Sequence, residues 1–265
     1  MELNLEDVWR AFIMTSIAGL STGIGSFISL LAKRTNTKFL CASLGFSAGV
    51  MIYISFMEMM PESRHALISA FGSRYGELYM LFAFFGGMAL IAAIDLLVPK
   101  ANNPHELLGV EEMDKRTSLG RTGIVVAMSI AIHNFPEGIA TFTSALSELD
   151  IAIPITVAIA IHNIPEGIAV AVPIYHATGS RKKAFWLSFA SGLSEPLGAL
   201  IAFLFLMPYW SPVINGIVLG AVSGIMVFIS LDELLPSAQK YGEHHVSITG
   251  LVAGMALMGI SLFIY

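Results

Sequence analysis

Charge is what this chain has least of: 12% of its 265 residues are Asp, Glu, Lys or Arg, against roughly 25% in an ordinary soluble domain. With 55% hydrophobic residues and a mean hydropathy of +0.76, that shortage excludes a soluble globular fold and predicts an all-α integral membrane protein. Bases are scarcer than acids, 14 Lys and Arg against 19 Asp and Glu, for a net charge of −5. No Lys or Arg lies well inside a long apolar run. The basic footprint of a nucleic-acid partner is therefore missing, and so are the cations that line an anion pore. Cys41 is the sole cysteine, which excludes an intrachain disulfide and a thiolate metal cluster. Metal chemistry must then draw on His, Glu, Asp, Asn and Met. No Walker motif is present, so ATP is not the direct energy source. The acidic N-terminus is unlike the basic start of a secretory signal, and the apolar stretch after it reads as a retained helix.

Long apolar runs are what the chain has in abundance. A membrane span needs about 20 apolar residues, and eight stretches qualify, near 11–32, 39–60, 78–98, 124–146, 151–175, 184–207, 213–235 and 246–265. The longest connection, Pro99 to Gly120, is too short for a separate domain, so residues 1–265 read as one membrane domain surrounded by lipid. Connections after odd-numbered spans hold 11 of the 14 bases, and the opposite side holds Arg10, Arg64 and Arg74. By the positive-inside rule both termini are expected on the extracytoplasmic side of the cell (inner) membrane.

Two kinds of repeat run through the spans. Ala131-Ile-His-Asn-Phe-Pro-Glu-Gly-Ile-Ala140 returns as Ala160-Ile-His-Asn-Ile-Pro-Glu-Gly-Ile-Ala169, with one difference. Weaker echoes join spans five apart: Gly19-Leu-Ser-Thr-Gly-Ile-Gly25 with Gly192-Leu-Ser-Glu-Pro-Leu-Gly198, and Ile54-Ser-Phe-Met-Glu-Met-Met-Pro61 with Ile229-Ser-Leu-Asp-Glu-Leu-Leu-Pro236. A third joins Gly87-Met-Ala-Leu90 to Gly254-Met-Ala-Leu257. An odd offset reverses the direction of crossing, which predicts a 3+2+3 inverted-repeat arrangement of eight helices.

The duplicated motif carries the chemistry. His133 and Glu137 stand four apart, about 6 Å along one helical face, and His162 and Glu166 repeat the pair. A carboxylate at mid-membrane costs several kcal/mol unless it is compensated, and with no Lys or Arg at that depth the compensation must be a proton or a bound cation. Two imidazoles beside two carboxylates are the donor set of a transition metal. Pro136 and Pro165 free the carbonyls of Ile132 and Ile161, Gly138 and Gly167 permit close helix approach, and Asn134 and Asn163 offer oxygens to a second ion. Ser194-Glu195-Pro196 adds a third buried carboxylate, for which helix capping is the competing role. Glu58, Glu62 and His65 at one rim, with Asp232, Glu233, Glu243, His244 and His245 at the other, are either collecting sites or solvated helix ends.

His-Asn-Phe-Pro-Glu-Gly and His-Asn-Ile-Pro-Glu-Gly resemble the signature of the ZIP (Zrt/Irt-like protein) metal transporters, and the resemblance covers essentially the whole chain. It implies a binuclear centre: His133, Glu137, His162 and Glu166 at one position, with Asn134, Asn163 and Glu195 joining the two bridging glutamates at the other. It places Met51 near the first position. It also implies a homodimer and alternating access in which spans 1, 4, 5 and 6 slide against a scaffold of 2, 3, 7 and 8. The expected function is uptake of Zn²⁺ foremost, with Fe²⁺, Mn²⁺, Co²⁺ and Cd²⁺ also admitted, as transported substrate and without an organic cofactor. Two alternatives stand beside it, an intramembrane metalloenzyme and a metal-selective channel. The enzyme is disfavoured because the zincin pattern His-Glu-x-x-His is absent and the di-iron pattern Glu-x-x-His is reversed here.

Overall fold

The computed structural model describes residues 5–31, 37–97, 131, 134–146, 149–240 and 244–264. Those residues form α1 (Leu5–Leu31), α2 (Thr37–Ile54), α3 (Met60–Leu97), α4 (134–145), α5 (Leu149–Thr178), α6 (Arg181–Gly192), α7 (Ser194–Ile201), α8 (Pro212–Ile229), α9 (Leu235–Lys240) and α10 (His244–Ile264), with no strand among them. Among the described residues, six stretches are long and apolar enough to cross a membrane: Leu5–Ile28, Lys38–Leu96, Ala152–Val172, Arg181–Tyr209, Pro212–Leu234 and His244–Phe263. The chain is a multi-pass helical membrane protein. The first part of the expected fourth span, His133, Glu243 and the connection from Pro99 to Gly120 lie outside the described residues.

The stretch Lys38–Leu96 is 59 residues long, and it doubles back on itself. Gly72 has a φ of 77°, a left-handed conformation that glycine adopts without a Cβ clash. The chain returns so tightly that a Cβ on Gly76 would lie 2.4 Å from Ile68 Cα. Phe71 packs edge-on against Tyr79 at 4.8 Å, and Arg64 pairs with Glu77 across the two arms. The second expected span thus continues to Phe71 instead of ending near 60, and the third begins soon after the turn.

Pro61 does not stop that helix because a π-helical turn, Ser55–Met59, precedes it, closed by the Met60 N–H donating to Ser55 O. The wider register accommodates a ring that would collide with the backbone of a regular α-turn. The same device recurs at Ser230–Leu234 ahead of Pro236 and at Ala202–Leu206 ahead of Pro208. The first and third π-turns in chain order, Ser55–Met59 and Ser230–Leu234, fall on the matching echoes that begin at Ile54 and Ile229. The expected sixth span is broken at Leu193, where α7 restarts so that Pro196 falls in a first turn that needs no N–H from it.

Helix packing follows the small residues. The most extensive contacts are α3 on α8, α2 on α10, and α1 on α5. Cβ atoms added at Gly45 and Gly49 would meet the carbonyls of Ser247 and Leu251 at 2.1 and 2.0 Å, so α2 and α10 run parallel and nearly touch. Added at Gly87 and Gly224, they would meet Ala221 O and Phe84 O at 2.0 Å each, which does the same for α3 and α8. In lipid, where apolar burial does not drive helices together, such close backbone approach supplies the packing. A second group comprises α1, α5, α6 and α7, with α4 laid against α7. Pro136 borders a largely apolar cavity of about 730 Å³ with Leu90 and Val218, and Pro165 borders one of about 550 Å³ with Phe46 and Thr249.

Candidate metal centre

The centre lies where α4, α5 and α7 meet. Glycines set the spacing: a Cβ on Gly138 would lie 2.1 Å from Glu195 O, and one on Gly198 would lie 2.3 Å from Phe135 O, so α4 and α7 cross in van der Waals contact. Gly167 against Thr22 O at 2.0 Å and Gly25 against Ile164 O at 1.8 Å do the same for α5 and α1. These contacts deliver Asn134 and Glu137 from α4, His162, Asn163 and Glu166 from α5, and Glu195 from the first turn of α7. All six are buried, none more than 3% exposed.

Within this group Glu137, His162 and Glu166 each offer a ligand atom, the three atoms lying within 4.8 Å of one another. His162 Nε2 sits 3.1 Å from Glu137 Oε1 and 3.2 Å from Oε2. Glu195 Oε1 accepts from Asn163 Nδ2 at 2.5 Å and from Asn134 Nδ2 at 3.4 Å. Asn134 also hydrogen-bonds Glu166, and Glu195 is near enough to both other carboxylates to feel their charge. Imidazole and carboxylate thus meet in one group, and Glu195 with the two asparagines lies beside it. His162 Nδ1, Asn163 Oδ1 and Glu195 Oε2 are buried without a hydrogen-bond partner among the described residues. Buried polar atoms are rarely left so, and a bound cation would give such atoms a partner.

Neighbouring backbone holds the side chains in place. Asn163 Nδ2 donates to Ala18 O at 2.8 Å, Ser21 Oγ to Ala160 O at 2.7 Å, and Ser47 Oγ to His162 O at 3.4 Å. Ser26 Oγ and Ser188 Oγ lie 2.6 Å apart, and Ser188 Oγ donates to Gly167 O at 3.0 Å. Such interhelical bonds average about 0.6 kcal/mol each. Sequence reasoning passed over these serines. Ser21 stood inside the Gly19–Gly25 echo and was legible there; for Ser47 the sequence carries no signal.

Of the residues expected at the site, Asn134, Glu137, His162, Asn163, Glu166 and Glu195 come together, and His133 lies outside the described residues. Met51 is fully buried in the apolar cluster that also contains Ala158 and Ile159 of α5, one helical turn from Ser47. Glu195 does stand in a helical first turn, yet its carboxylate reaches the two asparagines and makes no side-chain cap. Glu58 sits on the first π-turn, and Asp232 and Glu233 on the third.

The family described as ZIP Zinc transporter matches residues 8–262. The chain is 56% identical over 261 residues to "Zinc transporter ZupT" of Streptococcus mutans, which covers 98% of this chain and 99% of that protein. It is 54% identical over 279 residues to the protein of the same name from Clostridium perfringens, covering 99% and 98%. With the Chlorobium luteolum protein, again of that name, it shares 57% over 258 residues, covering 96% and 97%. On the duplicated motif, the helical membrane fold and a match that spans nearly every residue, the chain belongs to the ZIP family.

Proposed function

We propose that the protein takes up divalent transition-metal cations, Zn²⁺ foremost, across the cell membrane into the cytoplasm. The observation that carries this reading is the buried cluster of Glu137, His162 and Glu166 joined to Asn134, Asn163 and Glu195. Three carboxylates at membrane depth, with no Lys or Arg among the residues of the cluster, are stable only beside protons or a cation. His162, Glu137, Glu166 and His133 form the first metal position, and Asn134, Asn163 and Glu195 join the two glutamates at the second. Met51 approaches the first. Imidazole with carboxylate is a donor set of intermediate softness, which favours Zn²⁺ and its neighbours Fe²⁺, Mn²⁺, Co²⁺ and Cd²⁺ over Mg²⁺ and Ca²⁺. The names of the relatives support zinc.

The chain crosses the membrane eight times in a 3+2+3 inverted repeat, with both termini outside. Matched contacts support this: Gly25 on Ile164 mirrors Gly198 on Phe135, Gly167 on Thr22 mirrors Gly138 on Glu195, and the π-turns fall on equivalent echoes. Transport proceeds by alternating access. The group α1, α4, α5, α6 and α7 carries the cation past α2, α3, α8 and α10, and those helices also form the homodimer surface. The activity is carriage and not catalysis, and the metal is cargo with no organic cofactor beside it.

Uptake of single and competing metals into liposomes holding the purified protein, with and without an imposed pH gradient, tests the reading. Saturable Zn²⁺ uptake that Cd²⁺ inhibits and Mg²⁺ does not is the expected result. Absence of uptake by correctly inserted protein would overturn it.

A further inference from the structure

Thr22 on α1 is wholly buried, and its Oγ1 has no hydrogen-bond partner among the described residues. A buried hydroxyl left unpaired costs about 1–3 kcal/mol, so its neighbourhood calls for a ligand. Two independent placements pair Thr22 with Glu195 of the metal centre. In the sequence, Gly19-Leu-Ser-Thr-Gly-Ile-Gly25 aligns with Gly192-Leu-Ser-Glu-Pro-Leu-Gly198 and pairs Thr22 with Glu195. In the structure, a Cβ on Gly19 would lie 2.5 Å from Gly192 O and 3.2 Å from Glu195 Cβ, while one on Gly192 would lie 2.4 Å from Gly19 O and 2.9 Å from Thr22 Cβ. An approximate local twofold thus passes through the crossing of α1 with the α6–α7 junction. It exchanges Thr22 with Glu195, Asn163 with Asn134 and Glu166 with Glu137.

Glu195 uses its position to reach both asparagines. Thr22 stands at the mirrored position, and the same centre holds three further orphaned donors, His162 Nδ1, Asn163 Oδ1 and Glu195 Oε2. A threonine hydroxyl ends two bonds before a glutamate carboxylate, a shortfall of about 2.5 Å, close to the reach of one bridging water.

We propose that Thr22 is a further oxygen group of the transport site, holding from α1 a cation-bound water in the place that mirrors Glu195. The proposal rests on the metal reading above. A neutral hydroxyl there keeps the site at three carboxylates, whereas a glutamate would add a fourth charge.

The test is Zn²⁺ affinity of the purified full-length protein, measured by competition with a chelating indicator, for Thr22→Val, Thr22→Ser, Thr22→Ala and, as a check on the site itself, Glu137→Ala. Thr22→Val removes only the hydroxyl and should weaken Zn²⁺ binding about tenfold, the usual loss for an outer-shell partner, while Thr22→Ser stays within about twofold of the parent. Should Thr22→Val fail to insert, Thr22→Ser against Thr22→Ala isolates the hydroxyl, since both lose the methyl; equal metal-free melting temperatures with a tenfold gap in affinity support the proposal. Equal affinity in the serine and alanine variants, with binding abolished in Glu137→Ala, would overturn the role of Thr22 and leave the site standing. Unchanged binding in Glu137→Ala would overturn the site and Thr22 with it.

Discussion

Gly138→Ala adds one methyl group at the point where α4 and α7 touch, and its consequence can be worked from the geometry. The new Cβ would lie 2.1 Å from Glu195 O and 2.5 Å from Glu195 Cα. Ordinary contact begins near 3.4 Å, so the helices must separate by about 1.3 Å, and since both partners are backbone no side chain can turn aside. Overpacking of this kind costs typically 1–3 kcal/mol, and the displaced residue is Glu195 itself. Its bond from Asn134 Nδ2 is already 3.4 Å long, at the limit of a hydrogen bond, and would be lost. Zn²⁺ affinity and initial uptake in proteoliposomes should fall roughly tenfold or more, since about 1.4 kcal/mol is a factor of ten. Gly86→Ala is the control: its Cβ would meet nothing within 4 Å, and uptake should match the parent. Gly138→Ala transporting as well as Gly86→Ala would refute the claim that the α4–α7 spacing positions the site.

On the proposed two-position centre, Glu137→Ala and Glu166→Ala would each remove a charged ligand shared by both positions, so uptake should drop to background, whereas Glu195→Gln should retain one metal per protomer and some transport; equal loss in all three, read as metal stoichiometry and initial rate, would contradict two distinct positions. Metal binding should release protons from the three buried carboxylates and weaken as the pH falls, so calorimetric titrations in buffers of differing ionisation enthalpy should give different apparent heats; identical heats would remove the proton linkage. In a Cys41→Ala background, a cysteine at Ser147 should react with an impermeant reagent in intact cells and one at Ser180 should not, as the distribution of basic residues requires; the reverse pattern would invert the topology.

Membrane residence, the helical class and most of the residues that meet where α4, α5 and α7 cross were determined by the sequence alone, because each rests on a local or periodic property. Hydropathy needs only a window, a ligand pair four apart needs only the helical repeat, and a near-identical motif duplication needs no fold to be seen. The tertiary structure decided what depends on contact between distant segments. That the second span runs through Pro61 to Phe71 follows from a π-turn whose wider register no propensity reveals, and the hairpin at Gly72 follows from one residue's left-handed φ. The support of His162 by Ser47 and of Asn163 by the Ala18 carbonyl arises from helix crossings that glycines permit but do not announce. Glu195 read as either cap or ligand in one dimension. Only the approach of α7 to α4, so close that a Cβ on Gly138 would lie 2.1 Å from Glu195 O, turned its carboxylate toward the two asparagines, because in lipid a helix contact is specified by which backbones can come close and not by which residues are apolar.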